Sequence, residues 1–325
     1  MKKVLITTVP FADKDTLPLD LLDSAGIEYL INPLGRKLKE DELAEMVRDY
    51  DALIAGTEII SEKVMRSAKR LKFISRVGIG LDSVDLTTAK KMGIKVSYTP
   101  DAPSPAVSEL TIGIMLSLLR HTHLSNLQMH KGEWHRYFGR RLSEVTIGII
   151  GVGRIGKGVI DRLQSLSPQK IYLNDLDRKD VSVQNVEWVN KDSIYRNADI
   201  ISLHLPLTAK TKNLITLDEI FMMKKDAILI NTSRGGIINE SDLGIALREG
   251  HLSAAAVDTF EMEPYEGELT QIDNCLLTAH MGSMSIDCRT KMEIEATEEA
   301  IRFFQNQPLK GVVPIEEYEV QKQGL

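Results

Sequence analysis

Late in the 325-residue chain, an arginine, several glutamates and a histidine follow apolar runs. Arg234 lies in Asn231-Thr232-Ser233-Arg234-Gly235-Gly236. Its guanidinium fork suits a substrate carboxylate and carbonyl oxygen held together. The paired glycines beside it permit close approach of a ligand. His280 follows Leu276-Leu277-Thr278-Ala279, and histidine is the natural proton donor and acceptor near neutral pH. Glu263, in Glu261-Met262-Glu263-Pro264, is placed to hydrogen-bond the imidazole. A neighbouring carboxylate favours the charged ring and fixes its orientation. Glu261 and Glu266 compete for that role, and spacing alone does not choose among them.

A second kind of chemistry is written in glycines. Thr146–Ile150 is an apolar, β-branched run that reads as a buried parallel strand. It turns through Gly151, Gly153 and Gly156. Ile155, Val159, Leu163 and Leu166 then recur at helical spacing. Strand, glycine turn and helix in that order form a dinucleotide-binding fingerprint. Gly151 permits the tight turn, Gly153 lets the backbone approach a pyrophosphate, and Gly156 lets the helix pack on the strand. The helix N-terminus offers N–H groups and a positive dipole end to phosphates. A second strand, Ile171–Asn174, ends at Asp175. An acid there accepts ribose hydroxyls of NAD and repels the 2′-phosphate of NADP.

In open α/β sheets, ligands bind outside the carboxyl ends of the strands. The residues just after the later strands are His204, Pro206, Thr232, Ser233, Arg234, Asp258, Glu263 and His280. His204 is expected to line the cofactor site through its backbone. His121, His123, His130 and His135 sit on or just beyond a long helix without metal-ligand spacing, so no metal is expected. His251, at a helix end, is placed where a cation is favoured.

The elements that must position these residues form two series. The first hundred residues alternate strand and helix. Strands are expected at Val4–Thr7, Tyr29–Asn32, Ala52–Ala55, Leu71–Ser75 and Ile94–Ser97. Helices are expected at Leu17–Ala25, Glu40–Arg48, from the cap Ser61 to Ala68, and at Leu86–Met92. That alternation implies a parallel, doubly wound sheet without a glycine fingerprint, hence a separate, smaller domain. Tyr98–Pro105 is proline-rich and reads as a hinge. A long apolar helix is expected from Ala106 to about Leu127. Gly132–Arg141, with Trp134, Tyr137 and Phe138, is aromatic and basic, which suits an interface. From Val145 the second series adds strands at Val186–Val189, Ile200–Leu203, Ala227–Asn231, Ala254–Asp258 and Leu276–Thr278. A final helix, about Ile286 to Gln305, carries Met292, Ala296, Ala300 and Phe303 on one stripe and is long enough to return to the first domain. The tail after Pro314 is polar and is expected to add no domain.

Composition narrows the class. The length suits two domains, and the net charge of −6 argues against a nucleic-acid backbone as partner. Two cysteines, Cys275 and Cys288, match no metal or redox spacing and suggest a reducing compartment. Cys275 reads as a small buried side chain. The N-terminal apolar run is too short for a signal-peptide core. Leu110 to Leu119 is too short to span a bilayer. A cytoplasmic protein with no membrane partner is expected.

Together these residues resemble the D-isomer-specific 2-hydroxyacid dehydrogenases, most closely their phosphoglycerate-dehydrogenase-like branch. The resemblance runs from about Asp51 to Phe304. It is carried by Arg76-Val77-Gly78-Ile79-Gly80-Leu81-Asp82, by Ala106–Thr111, by Gly151–Gly156 with Asp175, by His204-Leu205-Pro206, by Asn231–Gly236, by Asp258–Pro264 and by Ala279-His280. It implies an α/β fold of two doubly wound parallel-sheet domains. One is a Rossmann NAD-binding domain, about 100–286. The other is a smaller flavodoxin-like substrate domain, 1–99 plus 287–325. Arg234, Glu263 and His280 are implied as the catalytic set, which selects Glu263 over Glu261. The implied cofactor contacts are Val107, Gly151, Gly153, Arg154, Ile155, Gly156, Asp175, His204, Pro206, Thr232, Ser233, Asp258 and Gly282. Arg76 and the N–H groups of Val77 and Gly78 join Arg234 as substrate ligands. A homodimer built on about 105–141 is also implied.

The activity this implies is NAD-dependent interconversion of a 2-oxo acid and a D-2-hydroxy acid, with His280 as acid and base and closure between domains excluding water. Three departures point away from phosphoglycerate. The stretch Ala55-Gly56-Thr57-Glu58 has an added anion where the branch usually carries an arginine. The usual hinge asparagine is replaced within Ala102-Pro103-Ser104. The regulatory extension of many phosphoglycerate dehydrogenases is not expected. Arg76 remains as one phosphate ligand. The rival readings are 3-phosphoglycerate dehydrogenase proper, an NADH-sensing corepressor-like protein, and phosphite dehydrogenase. A formate enzyme usually has an amide at the position of Glu263.

Overall fold

Short apolar runs bounded by turn residues become parallel strands when helices cover both faces. The computed structural model describes residues 2–322 and separates into two units, Met1–Pro103 with Ser283–Leu325, and Ser104–Gly282.

In the first unit β1 (Lys3–Ile6), α1 (Leu17–Ser24), β2 (Glu28–Ile31), α2 (Glu40–Met46), β3 (Ala52–Ala55), α3 (Glu62–Ser67), β4 (Phe73–Arg76), α4 (Leu86–Lys91) and β5 (Lys95–Tyr98) follow in order. The five strands are parallel in the order β2-β1-β3-β4-β5, the flavodoxin-like arrangement. β3 is buried at all four positions. Ser61 caps α3 by accepting from the Val64 amide, and Asp85 caps α4 by accepting from that of Thr88.

The second unit holds α5 (Pro103–Leu119), α6 (Thr122–His130), β6 (Thr146–Ile150), α7 (Arg154–Leu166), β7 (Lys170–Asn174), β8 (Val186–Trp188), α8 (Lys191–Asn197), β9 (Ile200–Leu203), α9 (Leu217–Met222), β10 (Ile228–Asn231), α10 (Glu240–Arg248), β11 (Ala254–Val257) and β12 (Cys275–Leu277). Its seven-stranded sheet runs β12-β11-β10-β9-β6-β7-β8. The order reverses at β6, so the crevice beside that strand is the ligand position of a Rossmann sheet. β11 reads Ala-Ala-Ala-Val, weak strand residues. Its parallel neighbours β10 and β12 and the burial of all four positions hold it extended.

Two regions differ from the sequence expectations, and a third adds an element to them. The single helix over Ala106–Leu127 is two helices. His121 sits in the left-handed region at φ 53°, and the Leu119 carbonyl accepts from the Arg140 amide at 3.1 Å. The returning segment thus takes α5's last carbonyl and ends the helix. α5 also begins at Pro103, and proline is well suited to a first turn. Finally, the tail after Pro314 is helical, α12 (Ile315–Lys322) following α11 (Ile286–Phe304). Tyr318 packs on the first unit's core, and the Gln321 amide donates to Leu81 O at 3.1 Å and Val84 O at 2.8 Å. Polarity hid one apolar residue and one bonding side chain.

α11 closes the first unit's sheet. Met292, Ala296 and Ala300 are buried, Phe303 stacks on Phe73 at 4.6 Å, and Ser75 Oγ donates to Ala296 O at 2.8 Å. Both cysteines are buried and free. No helix among the described residues is long and apolar enough to cross a membrane.

Candidate active site

The glycine turn is built by close backbone contacts. A Cβ on Gly151 would meet His204 O at 2.2 Å, and one on Gly156 would meet Gly151 O at 2.0 Å. Only glycine allows β6, the turn and α7 to pack this way. A Cβ on Gly153 would meet nothing within 4 Å, so open space lies over that backbone. Gly153 is also the N-cap of α7 and gives no side-chain cap. A helix N-terminus that its own cap residue leaves uncapped is the arrangement that receives a phosphate. Arg154 is exposed and Ile155 half-buried at this end.

Asp175 follows β7. Its Oδ2 accepts from the Val152 amide at 2.7 Å and from Lys179 Nζ at 3.2 Å, and Oδ1 accepts from the Leu176 amide at 2.7 Å. Burial opposes its charge. The Val152 amide, Lys179 and the Leu176 amide outweigh burial and hold the carboxyl below its usual value. His204 is buried, with Nε2 at 2.9 Å from Ser202 Oγ. Burial pushes its imidazole down to about 4, so the ring is neutral at physiological pH. Pro206, two residues on, is exposed.

At the ends of β10 and β11, two loops interlock. Asn231 Oδ1 accepts from the amide and hydroxyl of Ser233, and Asn231 Nδ2 donates to Arg234 O at 2.7 Å. Arg234 Nη1 donates to Ser233 O at 2.7 Å. Thr232 Oγ1 lies 2.9 Å from Thr111 Oγ1 on α5. A Cβ on Gly235 would sit 1.9 Å from the Phe260 carbonyl carbon. The arginine loop therefore lies backbone to backbone against the loop that carries Glu263.

His280 Nδ1 is 3.0 Å from both carboxylate oxygens of Glu263, whose Oε1 also accepts from the Phe260 amide at 3.2 Å. Glu261 turns elsewhere and pairs with Lys212 at 3.6 Å, so geometry selects Glu263 independently of any resemblance. His280 is in the left-handed region at φ 52°. Asp258 holds that conformation. Its backbone O accepts from the His280 amide at 2.8 Å. Its Oδ1 accepts from Thr278 Oγ1 at 2.6 Å and the Met281 amide at 2.7 Å, and its Oδ2 from the Gly282 amide at 2.9 Å. A Cβ on Gly282 would press on Val107 Cγ2 at 3.1 Å. Sequence reasoning gave no role to Thr111 or Thr278. Their hydroxyls act through partners far along the chain, and no local spacing signals that. Glu240, beside this pair, was also missed. Burial pushes its carboxyl up, and the charges of Glu261 and Glu263 add to that.

In the first unit, the expected substrate loop differs from its reading. The Val77 amide donates to Ala55 O at 2.8 Å within the sheet. The Gly78 amide donates to Thr99 Oγ1 at 2.7 Å. Only the second bond can be released by a side-chain rotation, that of Thr99 about χ1. Arg76 is 6% exposed and its Nη1 donates to Val77 O, so it is a buried support of the loop rather than an open phosphate clamp. Glu58, 2% exposed, accepts from Thr7 Oγ1 and from the Gly56 amide. The Glu58 carboxyl is thus fixed at the carboxyl edge of β3.

A histidine–carboxylate pair on the same sheet edge as a dinucleotide cradle is the arrangement of a nicotinamide-dependent oxidoreductase, and the cofactor is NAD. Residues 112–282 match the family model of the D-isomer specific 2-hydroxyacid dehydrogenase, NAD binding domain. The chain is 34% identical over 296 residues to a hydroxypyruvate reductase of Thermotoga maritima, covering 87% of this chain and 96% of that one. It is 35% identical over 296 residues to a D-3-phosphoglycerate dehydrogenase of Methanocaldococcus jannaschii, covering 88% of this chain and 56% of that one. The crystal structure of the TT0316 protein from Thermus thermophilus aligns with a TM-score of 0.88 at 30% identity, over 96% of this chain and 100% of that one. The chain belongs to the D-isomer-specific 2-hydroxyacid dehydrogenase family.

Proposed function

We propose that this enzyme reduces a small 2-oxo acid with an uncharged side chain to the D-2-hydroxy acid, and runs the reverse oxidation. The observation that carries the reading is His280 Nδ1 held at 3.0 Å by both oxygens of Glu263, beside the Arg234 loop. Bound NADH supplies the hydride. Glu263 accepts from Nδ1 and leaves Nε2 as the atom that passes a proton to the carbonyl oxygen. Arg234 takes the substrate carboxylate through its fork. Gly153, Arg154, Ile155 and Gly156 cradle the pyrophosphate, and Asp175 the adenosine ribose. Val107, His204, Pro206, Thr232, Ser233, Asp258 and Gly282 line the rest of the cofactor path.

The side-chain preference rests on Glu58. A fixed, buried carboxylate replaces the cation that a phosphorylated substrate needs, and the Arg76 guanidinium is turned onto its own loop. The hydroxypyruvate reductase relative supports a small substrate. The phosphoglycerate dehydrogenase relative keeps the phosphorylated substrate as the second reading. NADH oxidation across a panel of 2-oxo acids, with and without phosphate, separates them. Turnover on hydroxypyruvate or glyoxylate but not phosphohydroxypyruvate is expected. The opposite preference refutes the Glu58 argument.

The working unit is proposed to be a homodimer in the cytoplasm. Trp134 is 80% exposed, Phe138 is fully exposed, and Leu127 and Met129 are 44% and 50% exposed on the neighbouring α6. Apolar area of this kind on an extended arm suits a second copy of the chain. Light scattering should give a dimer for the wild type and a monomer for Trp134→Ala with Phe138→Ala. A monomeric wild type would remove the proposal.

A further inference from the structure

The acid that marks an NAD site here is already occupied. An ionised carboxylate offers about four lone-pair positions, and three on Asp175 are filled by the Val152 amide, the Leu176 amide and Lys179 Nζ. About one remains, whereas capture of both ribose hydroxyls uses two. Of the three donors, the two amides are fixed by the turn and by β7's end. Lys179 is the movable one, with its side chain 47% exposed against 15% for Asp175. Its ammonium is a mobile point charge with three donors. Any group bonded to the same carboxylate lies within about 6 Å of it. The 2′-substituent of the adenosine ribose is such a group.

We infer that Lys179 is a specificity-determining residue that relaxes the choice of cofactor, swinging off Asp175 so that the carboxylate takes both ribose hydroxyls of NADH, and turning onto the 2′-phosphate when NADPH is bound. This rests on the glycine-turn cofactor site and not on the identity of the substrate. The loop Asp175-Leu176-Asp177-Arg178-Lys179-Asp180 places exposed Arg178 beside Lys179, with Asp177 and Asp180 as opposing charges. The charge near the ribose is therefore mixed rather than uniformly repulsive to phosphate. A lone aspartate after β7 discriminates by repulsion; an aspartate with its own counter-ion discriminates much less.

The test is binding of NADH and NADPH to the full chain without substrate, read by cofactor fluorescence, so its failure is distinguishable from failure of the substrate assignment. The wild type should prefer NADH by no more than about tenfold. Lys179→Ala should weaken NADPH at least about tenfold and leave NADH within about threefold. Asp175→Ser should reverse the preference, because the carboxylate nearest the ribose is then gone while Lys179 and Arg178 remain. Lys179→Arg should preserve NADPH binding, which a merely structural loss would not. A wild type preferring NADH by well over about tenfold, or a ratio unmoved in Lys179→Ala, would overturn the inference.

Discussion

Gly235 is where the arginine loop and the glutamate loop meet, and replacing it with alanine tests whether their spacing matters. The added Cβ would lie 1.9 Å from the Phe260 carbonyl carbon, 2.1 Å from its oxygen and 2.3 Å from the Glu261 nitrogen. All three are backbone atoms, so no rotamer change relieves the clash. Ordinary carbon contacts begin near 3.5 Å, so the loops must part by roughly 1.5 Å. A displacement of about 1 Å between groups that must act together costs about 100-fold in rate. We therefore expect Gly235→Ala to lower kcat/KM by about 100-fold or more, equivalent to about 2.7 kcal/mol in the transition state. Overpacking should lower stability by about 1–3 kcal/mol. The assay is steady-state oxidation of NADH with the best 2-oxo acid of the panel, accompanied by a thermal melt. Turnover within threefold of wild type and an unchanged melt would refute the claim that these two backbones fix the geometry of Arg234 against Glu263.

Asp258→Asn should destabilise by about 1–3 kcal/mol and depress turnover, because an amide cannot accept at both ends from Thr278, Met281 and Gly282; an unshifted melting temperature would count against it. Burial pushes His204 down to about 4, while the unfolded chain takes the proton near 6.5. The unfolded state binds more protons in that window, so stability should fall by up to about 3 kcal/mol from pH 6.5 to 4, and His204→Asn should flatten that limb. Burial opposes the charge of Asp199, but the Thr146 amide, Lys224 and Arg140 outweigh it and hold its carboxyl below its usual value. Its contribution is present above about pH 4 and lost as pH falls through the lower folded value, so Asp199→Asn should show a weaker acid transition. Burial pushes the Cys275 thiol up to about 12, so iodoacetamide should label it only on unfolding; rapid labelling of the native enzyme would contradict that.

Most of the strands and the glycine turn were legible because each is signalled locally. β3, β9 and β10 are unbroken apolar runs, and Gly151, Gly153 and Gly156 declare a turn that a Cβ would destroy. The choice of Glu263 over Glu261 was not local. It shows only in the fold, where His280 meets Glu263 while Glu261 lies against Lys212, far back in the chain. The break at His121 was illegible for the same reason, since the group that ends α5 is the amide of Arg140. The Val77 and Gly78 amides were named through the family resemblance, which says nothing of their partners within this chain. Ala55 O and Thr99 Oγ1, brought in by the neighbouring strands, take them instead. α12 carried too little hydrophobicity to stand out, and Gln321 makes its contribution through hydrogen bonds.

The first unit is interrupted by the whole of the second, leaving at Pro103 and resuming at Ser283. Its five strands are complete by Tyr98, yet the helix that stacks Phe303 on Phe73 and bonds Ser75 comes from the far side of the insertion. On a ribosome adding about 5–20 residues per second, the intervening segment takes roughly 10–40 s to emerge. For that time the nascent sheet lacks the cover that α11 provides, while the contiguous Rossmann unit has every strand it needs as soon as it clears the exit tunnel. Order of birth and order of folding are therefore opposed in this chain: the half made first is finished last, and the N-terminal segment is the natural client of any chaperone that meets it during synthesis.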